Sequence, residues 1–419
     1  MISVFTPTHS PKFLGRTAAS LVAQTFDNFE WVIVPNGNVN VDDIISAIGD
    51  YDEKLVIHIH PFYDSTNIGA IKNFACSKCR GEILVELDHD DELTPDALQE
   101  VAAAFDDQSV DFVYSNFCDI NADGTSRTFG AEYGWQSRPL PNGRIETVAF
   151  PPSPASILRI HFCANHLRAW RREFYERLGG HDKTLDVLDD HDLVCRTYIH
   201  GKMLHIDKPL YNYFIHGGNT CYGELNAKIQ EKTLEIHDKY VYAVCERWAD
   251  LNGLRKIDLG GRFDCPPGYE SVDLKDANII CDLNESPWPF RDGEVGLIRC
   301  HDLAEHLKSP ISMMKEVWRI LAPSGWFLSL TPSSSGRGGD QDPTHISYFN
   351  SNSWWYYCRA QQARYIDTPV RFQLNRCKNF YPSDWHKFHE ILYVKADLVK
   401  LDDSNDKLGP NRVPGIIEI

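Results

Sequence analysis

The chain has 419 residues with 42 Lys and Arg against 59 Asp and Glu, so its formal net charge is −17. This acidic balance argues against nucleic acid or an anionic membrane surface as the main partner, since both favour a basic protein face. Hydrophobic residues make up 42% and charged residues 24%, which is ordinary globular usage and, at this length, predicts two or three domains.

Short apolar strands alternate with helices along the first 115 residues. The apolar pattern predicts strands over 2–6, 30–34, 55–59, 83–87 and 112–115. Helical spacing falls between them, over 14–24, 42–48 and 68–78, and a further helix begins near residue 94. Such alternation is typical of βαβ units and predicts a mainly parallel sheet.

A second series of elements follows a long amphipathic helix. Residues 134–159 are rich in Pro, Gly and Arg and predict a long loop, and a helix is predicted over 166–178. Apolar side chains over 225–248 fall mostly four apart, which predicts a helix, and strands resume beyond it. We therefore predict an α/β protein in four parts, namely a first domain over 1–224, a connecting helix over 225–252, a second domain over 253–400 and a polar tail over 401–419.

The sequence carries no signal for a membrane or for an oxidising compartment. No apolar run approaches the ~18 residues of a spanning helix, and the N-terminus lacks a basic segment followed by an apolar core. The 12 cysteines are scattered, and only Cys76 and Cys79 have the C-x-x-C spacing that a structural zinc site usually uses twice. We expect reduced thiols and a cytoplasmic enzyme without a transmembrane segment.

Three aspartates, Asp88, Asp90 and Asp91, follow directly on the predicted strand 83–87. Ligands of open α/β sheets bind beyond the carboxyl ends of the strands. Two carboxylates in a short turn make a partial site for Mg²⁺ or Mn²⁺ that leaves room for diphosphate oxygens. An acidic turn in front of the next helix explains the same residues, so the residues alone leave both interpretations open.

The first 225 residues resemble family 2 glycosyltransferases of the GT-A fold, with five motifs in the family's order. These are VFTPT at 4–8, SLVAQTFDNFEW at 20–31, NIGAIKN at 67–73, GEILVELDHDD at 81–91 and DDHDL at 189–193, followed by PLY at 209–211 and His216. One departure lies after the second strand, where the family usually has two acidic residues and this chain has PNGN at 35–38. Asn36 is the residue that we expect to replace them at the nucleotide base.

This resemblance implies an inverting transfer of a sugar from a nucleotide-diphosphate sugar to a glycan or lipid-linked saccharide. It implies a donor site formed by Thr6, Pro7, Thr8, Asn36, Asn67, Lys72 and Asp88. It also implies that Mn²⁺ or Mg²⁺ at Asp88 and Asp90 offsets the charge of the departing diphosphate. His216 is a further metal ligand by the same resemblance, or else a turn residue.

Asp190 is the residue to which the resemblance gives the role of catalytic base. Its neighbours Asp189 and Asp192, expected on the acceptor side, are predicted to raise the Asp190 pKa by like-charge repulsion. Arg168 and Arg171 lie in a segment dense in donors and are expected to line the acceptor or diphosphate side, because guanidinium groups suit phosphate oxygens. A helix start with a solvated basic face is the alternative for that segment. His58, His60 and His205 are interpreted as structural.

Residues 253–358 resemble class I methyltransferases that use S-adenosylmethionine, which predicts a Rossmann-like fold. The matching motifs are IDLGG at 257–261, GYESVDL at 268–274, CDLN at 281–284, WPF at 288–290, VGLI at 295–298, HDLAEHL at 301–307 and EVWRILAPSG at 316–325. Glycines at a strand-to-helix turn let the backbone approach a cofactor, and an acid after the next strand binds ribose hydroxyls. The implied cofactor residues are Asp258, Gly260, Gly261, Asp273 for the ribose, Asp282 for the adenine, and His301.

Two departures mark this second resemblance. Arg262 stands where the family has a small residue, and the loop over 262–267 is short. A Ser/Gly-rich loop further on carries Asp342 and His345, which we assign to the methyl-acceptor side as a base or metal ligands, or else to the cap of the next helix. The aromatic run at 354–357 predicts core or interface packing rather than a sugar platform.

These patterns predict a bifunctional enzyme, a metal-dependent glycosyltransferase fused to a domain that methylates the glycan. One alternative keeps the glycosyltransferase and makes the second domain a non-catalytic scaffold. Another treats both domains as degenerate and the chain as a nucleotide-responsive assembly protein. The intact acids Asp88, Asp90 and Asp190 argue against the last alternative.

Overall fold

The computed structural model describes residues 1–49, 55–128, 130–131, 134–217, 219 and 225–401. The chain divides into two compact units, one formed by 1–152 with 156–241 and the other by 153–155 with 242–419. The predicted polar tail lies outside the described residues except for Leu401.

The first unit contains the alternating elements that the sequence predicts, with further strands and helices. Its strands are β1 Ile2–Thr8, β2 Phe29–Pro35, β3 Val56–Ile59, β4 Ile83–Glu86, β5 Glu92–Leu93, β6 Phe112–Ile120, β7 Ser126–Arg127, β8 Ser137–Pro139, β9 Ile145–Thr147, β10 Arg168–Arg171 and β11 Met203–Phe214. The helices up to the second unit are α1 Leu14–Val22, α2 Val41–Ile48, α3 Ile68–Lys78, α4 Ala97–Ala104, α5 Pro154–Arg159, α6 Arg172–Arg177, α7 Asp189–His200 and α8 Leu225–Leu251.

These strands form one mixed sheet in the order β3-β2-β1-β4-β10-β6-β11-β5, with β7 and β9 also paired to β6 and β8 paired to β9. Strands β1 to β4 run parallel, and both β1 and β2 are buried along their whole length. Continuous burial is typical of parallel strands that are covered on both faces. The carboxyl ends of β1, β2 and β4 therefore meet at one edge of the sheet.

The helix predicted over 166–178 is wrong in its first half. Arg168–Arg171 forms β10, which pairs antiparallel with both β4 and β6, and a helix begins only at Arg172. Ala169 and Trp170 are fully buried within the sheet. The long loop predicted over 134–159 is also interrupted, because β8, β9 and α5 lie within it. Pairing with strands distant in sequence decided the structure of both segments, and local spacing does not report it.

The second unit has a sheet of its own. Its strands are β12 Arg255–Leu259, β13 Glu270–Asp273, β14 Ile279–Ile280, β15 Val295–His301, β16 Leu321–Pro332, β17 Phe372–Phe380 and β18 Tyr393–Lys400, in the sheet order β14-β13-β12-β15-β16-β18-β17. Its helices are α9 Pro310–Ile320, α10 Gly338–Gln341, α11 Trp355–Cys358, α12 Ala360–Ala363 and α13 Asp384–Phe388, with 3-10 turns at Ala304–His306 and Ser351–Trp354. Strands β12 to β16 are parallel, whereas β17 and β18 close the sheet with antiparallel pairs.

Two smaller expectations can be compared with this fold. Trp354 and Tyr357 belong to the hydrophobic core of the second unit, so these two of the four aromatic residues serve packing, whereas Tyr356 is exposed. The cysteines within the described residues are free thiols, and Cys76 and Cys79 are buried. In the part of the chain that the structure describes, no helix combines the length and the apolarity that crossing a membrane requires.

Candidate active site

A cleft of about 1060 Å³ lies at the carboxyl ends of β1, β2 and β4, and we call it the N-terminal cleft. It is large enough to take a ligand beyond the size of a simple sugar. The predicted site residues that line it are Pro7, Asn36, Lys72, Asp88, Asp90, Arg168, Asp189, Asp190 and His216. The fold therefore brings together residues from four of the sequence motifs.

The turn after β4 is anchored by Asp91, the third aspartate of the run. Asp91 is fully buried and accepts hydrogen bonds from the Tyr211 hydroxyl and the Phe214 backbone N–H, both at 2.8 Å. Burial raises the pKa of Asp91 well above its usual range, and the charges of Asp90 and Asp88 add to this rise. Asp91 thus fixes the turn and leaves the other two aspartates to face the cleft.

Asp88 and Asp90 have different surroundings in the cleft. Asp90 Oδ2 lies 2.7 Å from His216 Nε2, and Arg16 donates to the Asp90 carbonyl. Asp88 keeps 35% of its side-chain surface accessible. Burial raises the pKa of Asp88 to about 7; Lys72 opposes that rise and the carboxylates of Glu86 and Asp90 strengthen it.

This donor set fits a hard divalent cation. Two carboxylates and an imidazole are ligands that Mn²⁺ accepts, and a cation beside Asp88 would favour its ionised form. The structure brings Asp90 and His216 into contact, but no compact three-ligand group that includes Asp88 forms among the described residues.

Lys72 is a buried cation of this site. Its ammonium lies 2.5 Å from Glu86 Oε1 and 3.5 Å from Asp189 Oδ2. Burial alone would lower the pKa of Lys72, but Asp189 and Glu86 outweigh it and raise that pKa well above the usual value. Burial would likewise raise the pKa of Glu86, yet Lys72 lowers it to about 2. Both groups therefore stay charged, because each is paired when removed from water.

Asp190 is paired with a buried arginine. Arg168 Nη1 lies 2.5 Å from Asp190 Oδ2, and Arg168 Nε donates to the Ala164 carbonyl at 2.7 Å. Burial would raise the pKa of Asp190, but the charge and hydrogen bond of Arg168 lower it strongly, and Lys72 contributes. The expectation that Asp189 and Asp192 raise the Asp190 pKa is therefore wrong, because a cation that sequence spacing does not reveal dominates the site.

The start of α7 places the acidic motif. Asp189, Asp190 and Asp192 lie in its first turn, where the positive end of the helix dipole favours carboxylates. Leu188, just before the helix, has φ +60°, a left-handed conformation that a non-glycine residue adopts only when its surroundings enforce it. Asp189 is also held by His181, whose Nδ1 lies 2.8 Å from Asp189 Oδ2.

Three residues that were predicted to form the sugar-donor site are not among the residues that line the cleft in the described structure. Thr6 is buried and accepts from the Trp31 indole N–H at 2.9 Å. The Thr8 hydroxyl donates to the Ser10 carbonyl at 2.8 Å. The Asn67 amide donates to the carbonyls of Lys183 and Thr184, at 3.3 and 3.4 Å.

Two residues expected on the acceptor side are likewise absent from the cleft lining in the described structure. Arg171 donates to the carbonyls of Val110 and Phe105, at 3.1 and 3.2 Å, because alternation along β10 turns it away from Arg168. Asp192 is 1% exposed and pairs with Arg196 and Lys239.

Sequence reasoning missed Glu86 and His166. Glu86 is the polar end of an otherwise apolar strand, and this is a signal that could have been used. His166 Nε2 lies 3.8 Å from Glu86 and 3.9 Å from Asp88, and its ring stacks on Tyr211. Burial lowers the pKa of His166 to about 3, and Arg168 adds to the effect. A neutral imidazole therefore lies beside the carboxylate turn.

The glycine turn of the second unit follows β12. Gly260 has φ +78°, and a Cβ on Gly261 would lie 2.4 Å from Asp258 Oδ2, so both positions require glycine. Arg299 bonds Asp258 at 2.7 Å and Asp264 at 3.1 Å. Burial raises the pKa of Asp258 to about 6 even though Arg299 opposes that rise.

The other predicted cofactor residues lie around this turn. Asp273 ends β13 half-buried, and its carboxylate accepts from the Leu274 backbone N–H at 2.7 Å. Asp282 is exposed and accepts from the Asn284 backbone N–H. His301 Nε2 bonds the Tyr242 hydroxyl at 2.7 Å, and burial lowers the pKa of His301 to about 3.

Arg262, the departure in the glycine motif, pairs with Asp276 and lies over the Phe263 ring. Of the two residues assigned to the methyl-acceptor side, Asp342 is exposed and accepts from Thr344. His345 has 6% of its side chain accessible, and its Nε2 lies 3.9 Å from Asp342 Oδ2.

Comparison with known proteins agrees with this geometry. Residues 3–179 match the description Glycosyl transferase family 2, and residues 270–329 match the description Methyltransferase domain. The chain therefore carries a family 2 glycosyltransferase domain followed by a methyltransferase domain, and the predicted combination of a GT-A-like and a Rossmann-like α/β domain is confirmed.

Among curated relatives, the chain is 25% identical over 289 residues to the hyaluronan synthase of Pasteurella multocida, covering 67% of this chain and 27% of that protein. It is 26% identical over 233 residues to the chondroitin synthase of Escherichia coli, covering 54% of this chain and 30% of that protein. The chain thus spans less than a third of either relative. The crystal structure of S. aureus TarS 1-349 in complex with UDP-GlcNAc superposes with a TM-score of 0.43 and 18% identity, over 59% of this chain and 72% of that chain.

Proposed function

We propose that the first unit transfers a sugar from a nucleoside diphosphate sugar to a hydroxyl of a glycan or lipid-linked saccharide, with inversion. The observation that carries this proposal is the N-terminal cleft, in which Asp190, paired with the buried Arg168, shares one cavity with Asp88, Asp90 and His216. The family match and the named synthases among the relatives support the same reaction class.

In this proposal Asp190 receives the proton of the acceptor hydroxyl. Arg168 holds Oδ2, and Oδ1 accepts from the His191 backbone N–H at 2.8 Å, so the carboxylate is oriented at both oxygens. A carboxylate with a lowered pKa is ionised at neutral pH, which is the form a base needs. Its low basicity is offset by the fixed position that it offers to the hydroxyl.

Asp88, Asp90 and His216 would hold the divalent cation, Mn²⁺ or Mg²⁺. Once bound there, the ion would offset the negative charge that develops on the departing diphosphate. His216 and Asp90 already contact each other, and Asp91 anchors the turn from behind. Asn36 lines the cleft after β2 and is the proposed contact for the nucleotide base.

The test compares Asp190→Asn with the wild-type chain. The substitution keeps the shape of the side chain, so we expect nearly unchanged donor affinity and a turnover lower by about 10²–10⁴, the usual scale for general base catalysis. UDP-GlcNAc is the first donor to assay, and Asp207→Asn, which removes an exposed carboxylate elsewhere in the unit, is the matched control. Weaker donor binding with an unchanged rate at saturation would make Asp190 a binding residue instead.

For the second unit, we propose that it binds S-adenosylmethionine and methylates the sugar that the first unit adds, or its immediate acceptor. The glycine turn and the Asp273 carboxylate at the end of β13 fit a ribose-bearing ligand. Gly260, Gly261 and Asp273 would hold the cofactor, whose chemistry is the supply of a methyl group. Fusing the two domains in one chain raises the local concentration of the product of one reaction at the other site. This is an advantage only if the two reactions act in sequence.

One observation favours the alternative of a non-catalytic scaffold. Arg299 occupies the carboxylate of Asp258 and also reaches Asp264, so the cofactor-side acid of β12 is already paired. Titration of the whole chain with S-adenosylhomocysteine separates the two proposals. Methyl transfer requires binding that Asp273→Ala abolishes and Asp292→Asn, an exposed control, preserves. A wild-type chain that binds none at millimolar concentration supports the scaffold.

A further inference from the structure

A second cluster of metal-ligating side chains lies in the second unit. Glu305 and His306 belong to the 3-10 turn after β15, and His345 lies in the loop after α10. One ligand atom from each of the three lies within 4.8 Å of the other two. Within the described ranges of the chain, this is the only group of three such residues that comes so close.

Glu305 carries a buried oxygen without a hydrogen-bond partner. The side chain is 2% exposed, and its Oε2 accepts from the Thr331 hydroxyl at 2.6 Å. Its Oε1 is buried and has no hydrogen-bond partner among the residues that the structure describes, and it faces His345 Nε2 at 4.0 Å. Leaving a buried carboxylate oxygen unsatisfied is costly, so this atom points to a missing ligand.

Both imidazoles are held in the tautomer that a metal requires. His345 Nδ1 faces the Gly339 carbonyl at 3.1 Å, and His306 Nδ1 faces the Thr344 carbonyl at 3.3 Å. A carbonyl only accepts, and the Thr344 hydroxyl, which lies 3.1 Å from His306 Nδ1, donates its own hydrogen to Asp342 at 2.7 Å. In each ring Nδ1 therefore carries the hydrogen and Nε2 keeps a free lone pair. Imidazoles that bind metals are commonly oriented in this way through the other ring nitrogen.

The two segments are joined by hydrogen bonds that need no ion. The backbone N–H groups of Ile346 and Ser347 both donate to the Glu305 carbonyl at 2.9 Å, and the Ser347 hydroxyl donates to the Leu307 carbonyl at 2.6 Å. His345 is therefore held beside Glu305 by the backbone on its C-terminal side. The cluster is prearranged rather than assembled by chance from mobile side chains.

We propose that Glu305, His306 and His345 bind a divalent transition-metal ion of the zinc class, through one carboxylate oxygen and two imidazole nitrogens. Two imidazoles and a carboxylate suit Zn²⁺ better than Mg²⁺ or Ca²⁺, which prefer oxygen ligands. Bonds of about 2.0–2.1 Å to a tetrahedral ion place ligand atoms roughly 3.4 Å apart, so small side-chain rotations close the cluster. A fourth position stays open for water or a substrate hydroxyl.

The site differs in its chemistry from the carboxylate turn of the first unit, and the two can be separated by mutation. In the Asp90→Asn chain the proposed Mn²⁺ or Mg²⁺ site loses one of its two carboxylates, while Glu305, His306 and His345 are untouched. Purified Asp90→Asn protein, stripped with a chelator and then dialysed against Zn²⁺ with a weak competing chelator, should retain one zinc ion per chain.

Adding His345→Gln to this protein should weaken zinc binding at least 100-fold, and His306→Gln should act in the same way. His389→Gln, which removes an exposed histidine of the same unit, is the control and should change nothing. Circular dichroism and melting without metal establish that each variant is folded. Failure of the Asp90→Asn chain to hold zinc, or equal zinc retention with and without His345, would overturn the proposal.

Thr331→Val gives a second test that removes no ligand. It keeps the side-chain shape but deletes the hydroxyl that orients Glu305 Oε2. Loss of such a supporting partner typically weakens metal binding 10–100-fold. A folded Thr331→Val protein with wild-type zinc affinity would contradict the role assigned to Glu305.

Discussion

The aspartates beyond β4 and Asp258 of β12 all lie near the carboxyl end of a parallel strand, but the charges around them are balanced differently. In the first unit, Lys72 and Arg168 pair with Glu86 and Asp190, and the aspartate turn remains open to a large cleft. In the second unit, Arg299 bonds directly to Asp258.

This difference shows that a motif determines where a carboxylate lies but not whether it is available. In the N-terminal cleft the buried cations keep Glu86 and Asp190 ionised, while Asp88 and Asp90 face the cavity. At the glycine turn Arg299 bonds Asp258 itself, as Arg168 bonds Asp190, so the difference between the two units lies in the cleft-facing Asp88 and Asp90. The comparison supports catalysis in the first unit more strongly than in the second.

The largest expected effect comes from removing a buried cation of the first unit. Lys72→Met removes the cation between Glu86 and Asp189, and leaves Glu86 with the more distant Arg168 and Asp189 with the His181 imidazole. We expect the free energy of unfolding of the first unit to fall by about 3–5 kcal/mol, the usual cost of breaking a buried pair. Urea denaturation measures it, and Lys202→Met, at an exposed pair, should stay within about 0.5 kcal/mol. Equal stability of the two variants would show that the ion pairs of Lys72 with Glu86 and Asp189 do not stabilise the first unit.

The corresponding change in the second unit is Arg299→Met. It leaves Asp258 buried without its cation, and we expect a loss of about 3 kcal/mol in the stability of this unit. The exposed pair of Arg337 with Glu390 supplies the control, Arg337→Met, with little effect. If Arg299→Met gains affinity for S-adenosylhomocysteine while the control does not, Arg299 closes the cofactor site. Unchanged stability would mean that the ion pair does not hold the turn.

The sequence predicted which acidic residues lie in the cleft, but it did not predict which residues pair with them. The positions of Asp88 and Asp90 followed from the end of a predicted strand, which is a local feature, and Asp190 was singled out by the resemblance of its motif. The pairing of Arg168 with Asp190 did not, because it depends on β10 lying between β4 and β6. Glu305 and His345 are 40 positions apart, so only the folded loop shows that they are neighbours.

A smaller effect concerns acid stability of the second unit. The pKa of His301 is lowered from 6.5 to about 3 by burial, so the folded state binds its proton less readily than the unfolded state. Stability from this group is therefore present above pH 6.5 and is lost as the pH falls towards 3. At pH 5.5 the loss is about 1 kcal/mol by linkage. His301→Gln should flatten this part of the pH profile in thermal melts, whereas His389→Gln should leave it. A steeper dependence of stability on pH in His301→Gln would contradict this prediction.

The smallest expected effect concerns the part of the N-terminal cleft where the nucleotide base is proposed to bind. Asn36→Ala removes the proposed base contact, and one hydrogen bond contributes about 0.5–1.5 kcal/mol. We expect the donor KM to rise about 3–10-fold with kcat unchanged. Asn121→Ala, in an exposed turn, is the matched control. A drop in kcat alone would place Asn36 in the chemistry rather than in donor binding.

The most direct test of the central claim is calorimetric titration of the whole chain with nucleoside diphosphates, in the presence and absence of Mn²⁺. If the N-terminal cleft holds a diphosphate through a cation at Asp88, Asp90 and His216, binding should require Mn²⁺ and should weaken at least 10-fold in Asp90→Asn while the protein stays folded. Binding of equal strength without Mn²⁺, and unchanged in Asp90→Asn, would contradict the account.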